Sequence, residues 1–527
     1  MSVEPQAAGM IGRARVLQQA GRPADAALLL RQAIAFSPAF SAAHHHLGLV
    51  FLPVAERALV ERLFRRAVLS APEDAEPRGN LALLHSQQGN HQAAENSALL
   101  AILLNPAYDN GHNNYARSFK DRARPEGAEA SYRRVAALRP AASMGWVNLG
   151  DVLKELGRTE EALACTERAV IADPTSAAGW NNRGHLFQGQ GRLTLAEAAL
   201  RRALRLQPGY AAAHLNLGMT LLQAGRFEEG WRHYEWWRAT APLLAGWRPP
   251  PEKRWSGQDL KGKTLLLSGE QGLGDVLQFS RYASVFADLG ARVLLQVHPP
   301  LVRLLASLPG AALTLPMGEA PPEFDYHLPM MSAPAALGTR LETIPAKIPY
   351  LTADPELAER WRGRLSGLSG LKVGLVWGGN PRDQDPAARL VDRRRSMALS
   401  EFSPLLAISG ISFVSLQKGV PAAQVASLPL DLRPFDAMEE VEDFADTAAL
   451  IANLDLVISV DTSVAHLAGA LGKPVWILSR FDGCWRWLQD RDDSPWYPTA
   501  RLFRQRSPGD WAEVVARVRE ALAIQAS

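Results

Sequence analysis

Proline recurs at a fixed interval through the first half of the chain. Successive prolines are 34 residues apart, at Pro38, Pro72, Pro106, Pro140, Pro174 and Pro208. Ten residues after each proline stands a small residue, at Gly48, Ala82, Ala116, Gly150, Gly184 and Gly218. Because a small side chain allows two helices to approach closely, each period predicts a pair of packed helices.

The turns between the paired helices keep the same register. Glycine occupies them at Gly21, Gly89, Gly157, Gly191 and Gly225. The second helices carry alanine in register, at Ala26, Ala94, Ala128, Ala162 and Ala196. A helix–turn–helix period of 34 residues is that of tetratricopeptide repeats, which stack into a solenoid. The sequence predicts six such units, and a seventh that ends in GWRHYEWWR, over residues 1–237.

One column of the repeat carries polar side chains. His46 is followed, at the same 34-residue spacing, by Asn80, Asn114, Asn148, Asn182 and Asn216. This first-helix position is expected to face the concave groove, where a carboxamide can both donate to and accept from the backbone of an extended peptide. The row resembles the asparagine ladder of O-linked N-acetylglucosamine transferase, which holds acceptor proteins. The alternative is that asparagine is simply common at this position; five in succession favour peptide binding.

Two other clusters in the repeats favour structural roles. The run His44–His46 cannot bind one metal ion through all three rings, because successive residues of a helix do not share a face. We expect a solvated helix there. The aromatic residues within 231–237 recur at spacings of three and four, and we expect them to pack the last repeat onto the next part of the chain as a hydrophobic cap.

In the second half, short apolar runs alternate with helical patterns. The runs include 265–267, 293–297 and 326–329, and further runs begin at 371, 411, 454, 474 and 500. Near-continuous apolar strands separated by helices predict parallel sheets covered on both faces, with ligands at the carboxyl ends of the strands. Residues 241–263 are rich in proline and lack both periodicities, so they predict a stiff connector. The predicted domains are therefore 1–237 (repeats), 238–262 (linker), 263–355 and 356–527 (two Rossmann-like domains).

The overall composition excludes several classes of function. The 57 Lys and Arg against 54 Asp and Glu give a net charge of only +3, which does not indicate binding to nucleic acid. We find neither a signal-peptide pattern nor an apolar run of membrane-spanning length, so a cytoplasmic protein without membrane insertion is expected. The two cysteines, Cys165 and Cys484, cannot form a disulfide framework and lack metal-site spacing.

The most informative stretch is LDLVISVDTSVAHLAGALGKPVW, residues 454–476. A buried strand is predicted to end at Asp461, and Thr462 and Ser463 open a helix. The N–H groups of its first turn, which includes Val464, and the helix dipole suit a diphosphate. His466 could donate to a phosphate or a sugar oxygen. The alternative is that Asp461 caps the helix and His466 packs.

These residues resemble a known family. Asp461 to Ala468, followed by Gly472-Lys473-Pro474, resembles the nucleotide-sugar motif of the ADP-heptose:lipopolysaccharide heptosyltransferases. The resemblance implies the GT-B architecture of two Rossmann-like domains, and a glycosyltransferase whose co-substrate is a nucleotide sugar, without a further cofactor. This chain has Ser463 where the family pattern has glycine.

The same resemblance extends to SGEQGLGDVLQF, residues 268–279. Its glycines match neither a dinucleotide fingerprint nor a P-loop. Gly274-Asp275 matches the family's Gly-Asp pair on the acceptor side, whose aspartate is the proposed general base. Glycosyl transfer needs such a base to deprotonate the acceptor hydroxyl. Asp275 is the first candidate, with helix capping as the alternative, and Glu270 is the second candidate.

The leaving nucleoside diphosphate needs cations or amides to meet its charge. Arg395, within DRRRS at 392–396, falls where the heptosyltransferase pattern has a phosphate-binding lysine, and a guanidinium can hold a phosphate at two points. The alternative is a solvated arginine run. Gln417 and Lys418, predicted at a strand end, are further candidates for phosphate or sugar contacts.

No acidic pair typical of a catalytic metal site stands out, so the transferase is predicted to work without a metal. Asp383, Asp385 and the acidic residues of 490–493 are expected to be loop and surface groups. The aromatic segment 485–498 could stack a base or a sugar, or could simply seal the sheet.

The predicted function is a cytoplasmic glycosyltransferase that transfers sugar to a protein, such as a flagellin-like protein, held by the solenoid. The short acceptor-side domain and the added repeats resemble the bacterial enzymes that modify flagellin or other proteins. Two alternatives stay open. One is a catalytically degenerate repeat scaffold, which the serine at 463 motivates, and the other is a transferase acting on an envelope saccharide. Asp275→Asn is expected to abolish transfer while donor binding is retained.

Overall fold

The computed structural model describes residues 3–53, 56–122, 124–240, 250–381 and 386–526. Contacts within the chain divide it into two units, Met1–Leu186 and Phe187–Ser527. The predicted domain limits at 237, 262 and 355 stay predictions. None of the helices in the described ranges combines the length and the apolar composition needed to cross a bilayer.

The first unit is built from paired helices. Each first helix packs on the next one along the chain, as α1 packs on α2 and α9 on α10, which confirms the predicted tetratricopeptide solenoid. The helices are α1 (Val3–Gln19), α2 (Pro23–Phe36), α3 (Ser41–Phe51), α4 (Arg57–Ser70), α5 (Ala75–Gln87), α6 (His91–Leu104), α7 (Asp109–Lys120), α8 (Pro125–Leu138), α9 (Ser143–Glu155), α10 (Thr159–Ala172) and α11 (Ala177–Gly189), the last of which continues into the second unit.

Glycine fixes both the turn and the crossing of each helix pair. Gly89 and Gly157 each have a φ of 76°, a left-handed backbone that glycine adopts without the cost paid by other residues. At the crossing, a Cβ on Gly48 would lie 2.6 Å from the Phe64 ring, and one on Gly150 would lie 3.3 Å from the Ala162 carbonyl oxygen. The small residues that follow each proline are therefore required by close packing, as predicted.

The second unit begins with further helices of the same pattern. They are α12 (Leu193–Leu206), α13 (Ala211–Gln223), α14 (Phe227–Tyr234) and α15 (Trp237–Thr240). Gly218 of α13 lies against the backbone of α14, because a Cβ there would be 2.5 Å from the Tyr234 nitrogen. Trp231 and Tyr234 of α14 belong to the same hydrophobic core as the sheets that follow.

The first sheet contains four parallel strands in the order β3-β2-β1-β4. The elements are β1 (Thr264–Ser268), α16 (Leu273–Phe279), α17 (Tyr282–Asp288), β2 (Arg292–Val297), α18 (Val302–Leu305), β3 (Ala311–Pro316), β4 (Tyr326–Pro329) and α19 (Ala333–Ala336). Apolar side chains of β1 and β2 are buried on both faces, as the near-continuous apolar runs predicted.

The second sheet contains five parallel strands in the order β6-β5-β7-β8-β9. Separate hydrophobic clusters cover its two faces, which confirms the predicted α/β architecture. The elements are α20 (Pro355–Arg364), β5 (Leu371–Val376), α21 (Pro386–Arg395), α22 (Ser403–Leu406), β6 (Ile411–Ser415), α23 (Phe444–Ala452), β7 (Leu456–Val460), α24 (Ser463–Ala470), β8 (Val475–Ser479), β9 (Ala500–Arg504) and α25 (Trp511–Ala526).

The end of the predicted connector is part of the fold. Residues 241–249 lie outside the described ranges. Beyond them, Arg254 pairs with His327 of β4 in a parallel bridge, and the Trp255 N–H donates to the His327 carbonyl at 2.9 Å. Trp255 and Leu260 are buried in the core. The prediction that 241–263 has no strand character is therefore wrong at this end, where tryptophan and leucine provide apolar surface to bury.

Candidate functional site

Two of the predicted motifs meet at the carboxyl ends of β1 and β7. The loop 269–275 follows β1, and α24 begins just after β7. A Cβ on Gly274 would lie 2.9 Å from His466 Cδ2 and 3.4 Å from Ser463 Cα. Glycine at 274 therefore lets this loop contact the first turn of α24. Parallel sheets place their ligand sites at such strand ends, so we take this junction as the candidate site.

Asp275 is held by two hydrogen-bonding partners. The N–H of Gly272 donates to Asp275 Oδ2 at 2.9 Å, so the carboxylate caps α16. Its other oxygen, Oδ1, accepts a hydrogen bond from the guanidinium of Arg486. The capping alternative from the sequence is thus observed, together with an ion pair that the sequence did not predict. The role of Asp275 as a base stays a prediction.

Arg486 was missed by sequence reasoning. Its Nε donates to Gln278 Oε1 at 2.7 Å, and its Nη1 donates to Cys484 Sγ at 3.1 Å. Burial by itself would lower the pKa of Arg486, but the charge of Asp275 outweighs that and raises it above its usual range. The guanidinium therefore stays charged beside the carboxylate. An arginine between two tryptophans, in WRW, was the available signal for a buried cation.

Glu270 lies at the start of the same loop in a different environment. The N–H groups of Met330 and Met331 donate to its carboxylate at 3.3 and 3.2 Å. Burial raises the pKa of Glu270 to about 8, and the charge of Asp275 acts in the same direction. These two backbone hydrogen bonds only partly offset that rise. The carboxyl group is therefore largely protonated at neutral pH, and the side chain is half-buried.

His466 is a buried, neutral histidine. Its Nδ1 is hydrogen-bonded to the Tyr497 hydroxyl at 3.0 Å, and its ring stacks on Trp487 with 5.3 Å between centroids. Burial lowers the pKa of His466 to about 4, although the charge of Asp461 opposes the change. One edge of the ring is thus packed, as the alternative expected. The other nitrogen, Nε2, would lie 3.5 Å from a Cβ on Gly274 and so faces the loop.

The first turn of α24 carries no side-chain cap. Thr462 occupies the N-cap position in an extended conformation, and its side chain makes no capping hydrogen bond. Its hydroxyl is instead 3.0 Å from Ser459 Oγ. The alternative in which Asp461 caps this helix is therefore wrong. Ser463 is half-buried and Val464 is buried, so in this turn the backbone rather than a long side chain would meet a ligand.

Arg395 is ordered beside this turn. Its Nε donates to Asp392 Oδ1 at 3.0 Å, and its Nη1 donates to the Asp461 carbonyl at 3.0 Å. Only 22% of its side chain is exposed. A solvated run is therefore the wrong description of Arg395, whereas the neighbouring Arg393 is exposed. The structure places a guanidinium at the carboxyl ends of β5 and β7, next to the start of α24.

Gln417 has a different role from the predicted one. Its Oε1 accepts hydrogen bonds from the N–H groups of Trp377 and Gly378 at 3.1 and 2.9 Å. Its Nε2 donates to the carbonyls of Gly378 and Lys418, both at 2.9 Å. The carboxamide is buried and fully used, so the prediction of direct phosphate or sugar contact is wrong. Gln417 holds the loop after β5. Lys418 is exposed, and its ammonium donates to a backbone carbonyl.

The aromatic segment 485–498 seals the fold. Trp487, Trp496 and Tyr497 have no exposed surface, and Trp485 is 4% exposed. A ring without exposed surface cannot stack on a base or sugar. Of the two open interpretations, the sealing role therefore fits the structure. Asp383 and Asp385 lie outside the described residues, and the absence of a metal stays a prediction.

The predicted hydrophobic cap of the last repeat is confirmed. Trp231 Nε1 donates to the Thr339 carbonyl at 2.9 Å. Its ring and that of Tyr234 pack on Trp485, with centroids 5.2 and 5.6 Å away. Trp237 is buried in the same core, while Trp236 stacks on His214. The end of the repeats therefore forms one core with the α/β part of the second unit.

The asparagine row links neighbouring repeats within the first unit. Asn80 Nδ2 donates to His45 Nε2 at 2.6 Å, and Asn114 Nδ2 donates to the Gly79 carbonyl at 2.8 Å. Asn148 Nδ2 likewise donates to Asn113 Oδ1 at 2.9 Å. In each case the partner stands 35 residues earlier in the chain. These bonds give the three carboxamides a structural role between repeats.

The other two members of the row have local contacts. Asn182 Oδ1 accepts a hydrogen bond from Asn181 Nδ2 at 3.2 Å. Asn216 belongs to the second unit, where its carbonyl accepts from Thr220 Oγ1 at 2.8 Å. Peptide binding by the row stays a prediction.

The histidine run is buried rather than solvated. His44 and His45 are 8% and 4% exposed. The His44 Nε2–H donates to the Pro38 carbonyl at 2.8 Å, and His45 accepts from an asparagine of the next repeat. The expectation of a solvated helix is therefore wrong, because these rings fill the contact between successive helix pairs.

Comparisons with known protein families agree with both halves of the chain. Tetratricopeptide-repeat models match residues 75–108, 115–177 and 181–231. The model of glycosyltransferase family 9 (heptosyltransferase) matches residues 442–478, which contain β7, α24 and most of β8. The chain therefore combines tetratricopeptide repeats with a segment similar to the family 9 glycosyltransferases.

Individual relatives cover parts of the chain. Protein FlbA of Caulobacter vibrioides is 30% identical over 329 residues, which are 57% of this chain and 53% of that protein. The chain thus matches about half the length of this relative. Among solved structures, PilF of Pseudomonas aeruginosa is 17% identical over 45% of this chain and 99% of its own, with a TM-score of 0.37. A tetratricopeptide-repeat protein of Parabacteroides merdae is 14% identical over 44% and 92%, with a TM-score of 0.37.

Proposed function

We propose that this chain is a glycosyltransferase that moves a sugar from a nucleotide-sugar donor to a protein held by its repeats. The observation that carries the proposal is the contact between the loop 269–275 and the first turn of α24, which the family 9 match contains. That contact places two carboxylates of the loop near a helix start that suits a diphosphate. The proposed location is the cytoplasm, because the sequence has neither a signal-peptide pattern nor a membrane-spanning run.

On the donor side, the backbone of Thr462 to Val464 would bind the diphosphate. The uncapped first turn of α24 leaves its N–H groups to a ligand, and the helix dipole favours negative charge there. Arg395, already fixed by Asp392 and the Asp461 carbonyl, would hold a phosphate oxygen with its guanidinium. His466 is neutral, so Nε2 can donate to or accept from a sugar or phosphate oxygen without adding charge.

On the acceptor side, transfer requires a base beside the attacking hydroxyl. The oxygen of the acceptor would bond to the anomeric carbon as the bond to the diphosphate breaks, and the leaving electron pair would stay on the diphosphate. The carboxylate of Asp275 or Glu270 would take the hydroxyl proton. Cations and amides stabilise the departing charge, which is consistent with a reaction that needs no metal.

The repeats support a protein acceptor. Tetratricopeptide arrays present extended surfaces, and the asparagine row offers carboxamides in successive repeats. A flagellin-like protein is the proposed class of acceptor. One observation favours the alternative of a catalytically inactive scaffold: Asp275 is already paired with Arg486, and a paired carboxylate is a weak base.

Release of the nucleotide from its sugar tests the proposal. The full chain is incubated with nucleotide sugars that carry ADP, UDP, GDP, CDP or CMP, and the freed nucleotide is measured. We expect turnover of one donor class by the wild type and by the control Arg393→Ala, with a loss of at least about tenfold in Arg395→Ala. Nucleotide binding without turnover of any donor would favour the scaffold.

The class of acceptor is tested with a radiolabelled form of the donor that is turned over. Label should enter the protein fraction of a bacterial extract, and deletion of residues 1–186 should reduce that incorporation. Label that enters only the saccharide fraction, and does so without residues 1–186, would identify an envelope saccharide as the acceptor.

A further inference from the structure

The two carboxylates of the loop 269–275 differ in the partners that hold them. Asp275 has one oxygen on the Gly272 N–H and the other on the guanidinium of Arg486. Arg486 is itself fixed by Gln278 and Cys484, so this ion pair is part of the buried framework. A carboxylate beside a guanidinium favours its charged form and binds a proton weakly. That is an unfavourable property in a group that must accept one.

Glu270 has the opposite environment. Its oxygens accept only backbone N–H groups, from Met330 and Met331, at the long distances of 3.3 and 3.2 Å. In the part of the chain that the structure describes, no arginine, lysine or histidine is paired with it. The side chain is half-buried and so remains accessible from solvent. It stands at the carboxyl end of β1, five residues before Asp275.

We propose that Glu270, rather than Asp275, accepts the proton of the acceptor hydroxyl, and that Asp275 is a positioning residue that fixes the loop through Arg486. This inference rests on the proposed glycosyltransferase function. In the step, the acceptor oxygen bonds to the anomeric carbon, and the bond from that carbon to the diphosphate breaks. The electron pair of the broken bond leaves on the diphosphate, and the hydroxyl proton moves to the carboxylate of Glu270.

The protonation behaviour of Glu270 suits this role. Burial raises its pKa to about 8, with the charge of Asp275 adding to the effect. A base is most effective when its pKa lies near the working pH, because it then binds the proton firmly without being fully protonated beforehand. The carboxylate form is needed, so the rate should rise as the pH rises through about 8.

Other charged groups surround the turn that holds Glu270. Ser332 follows Met331 in this turn, and its hydroxyl donates to Glu235 Oε2 at 3.1 Å. Glu235, at the end of α14, is paired with Arg254 at 3.0 Å. His327 of β4 is hydrogen-bonded to Ser268 Oγ, at the end of β1, at 2.9 Å. Burial lowers the pKa of His327 to about 4, so it does not titrate in the range of interest.

The test compares the pH dependence of nucleotide release, with water as the acceptor, in four proteins. They are the wild type, Glu270→Gln, Asp275→Asn and Arg486→Lys, each as the full chain with the donor that the wild type turns over. We expect Glu270→Gln to lower the rate by about 10²- to 10⁴-fold and to abolish its rise through pH 8. Asp275→Asn and Arg486→Lys should be slower by similar factors and should keep that rise.

A positioning role for Asp275 also predicts how the variants combine. The double variant Asp275→Asn/Arg486→Lys should be no slower than the slower single variant, because both act through the same ion pair. The nucleoside diphosphate of the donor should raise the melting temperature of Glu270→Gln as it does that of the wild type. If Glu270→Gln does not fold, Glu270→Asp replaces it, with a lower rate and the pH rise retained.

Three results would overturn the inference. Wild-type rate and pH profile in Glu270→Gln, or in Glu270→Asp if only that variant folds, would exclude Glu270 as the base. Loss of the pH rise in Asp275→Asn would return that role to Asp275. Absence of turnover by the wild type itself, with every donor, would overturn the proposed function and this inference with it. Turnover that is unaffected by substitution of Glu270 overturns only the inference.

Discussion

Two deletions that differ by 51 residues should have opposite effects on folding. Removal of residues 1–186 takes away the first unit and leaves the second, Phe187–Ser527. Removal of residues 1–237, which follows the predicted limit of the repeats, also takes away α12 to α14. That region carries Trp231 and Tyr234, whose rings pack on Trp485, and Phe227, whose ring centroid is 6.1 Å from that of Trp496.

The cost of the longer deletion can be worked from these three rings. A buried aromatic side chain covers about 150–250 Å². If about half of each ring lies against the α/β part, the deletion exposes roughly 300 Å², or about 7 kcal/mol at ~25 cal/mol per Å². The deletion also removes the hydrogen bond from Trp231 to the Thr339 carbonyl. Since whole domains are stable by only about 5–15 kcal/mol, the remainder should not hold its fold.

Calorimetry and near-ultraviolet circular dichroism measure the outcome. The chain without residues 1–186 should unfold cooperatively and keep its aromatic signal. The chain without residues 1–237 should show no cooperative transition or should aggregate. In the full chain, Trp231→Phe should lower the melting temperature more than Trp236→Phe, because only Trp231 reaches the Thr339 carbonyl. A cooperative transition at the same temperature in both deletion variants would refute this reasoning.

Single side chains give three further predictions. Gly274→Ala places a Cβ 2.9 Å from His466 Cδ2, so nucleotide release should fall at least about tenfold with little change in melting temperature, whereas Gly367→Ala, with nothing within 4 Å, should be neutral. Gln417→Ala leaves two buried N–H groups without acceptors and should destabilise the fold by about 2–5 kcal/mol in denaturant titrations; no loss would contradict the bonding described. His466 and His327 have pKa values lowered to about 4 by burial, so the unfolded chain takes up protons first and stability should fall as the pH falls from about 6.5 to about 4, by up to about 3 kcal/mol each, an effect that His327→Gln should halve; stability constant over this range would contradict the burial of both rings.

Periodic features were predicted well from the sequence. The proline period and the small residues after it depend on contacts within and between neighbouring helices, so they leave a local signal in the chain. Strands buried on both faces gave the continuous apolar runs that located β2 and β7. The edge strand β3 was missed, because its half-exposed residues alternate without a continuous apolar run and it pairs only with β2.

Contacts between distant segments could not be predicted in the same way. The partners of Asp275 and Arg486 are 211 residues apart in the chain, and nothing local in either segment identifies the other. Gln417 looked like a ligand group, because a polar residue at a strand end has that appearance whether it meets a ligand or the backbone of a neighbouring loop. The burial of His44 and His45 likewise depends on the adjacent repeat, which a single helix does not reveal.

The most direct test of the central claim is a thermal-shift panel of ADP, UDP, GDP, CDP and CMP against the wild type, Arg395→Ala and the control Arg393→Ala. A ligand at about a hundred times its dissociation constant stabilises a fold by roughly 2.7 kcal/mol, which is a shift of a few degrees. We predict that one nucleotide raises the melting temperature of the wild type and of Arg393→Ala but not of Arg395→Ala. No shift with any of the five nucleotides would contradict a nucleotide-sugar site at the start of α24.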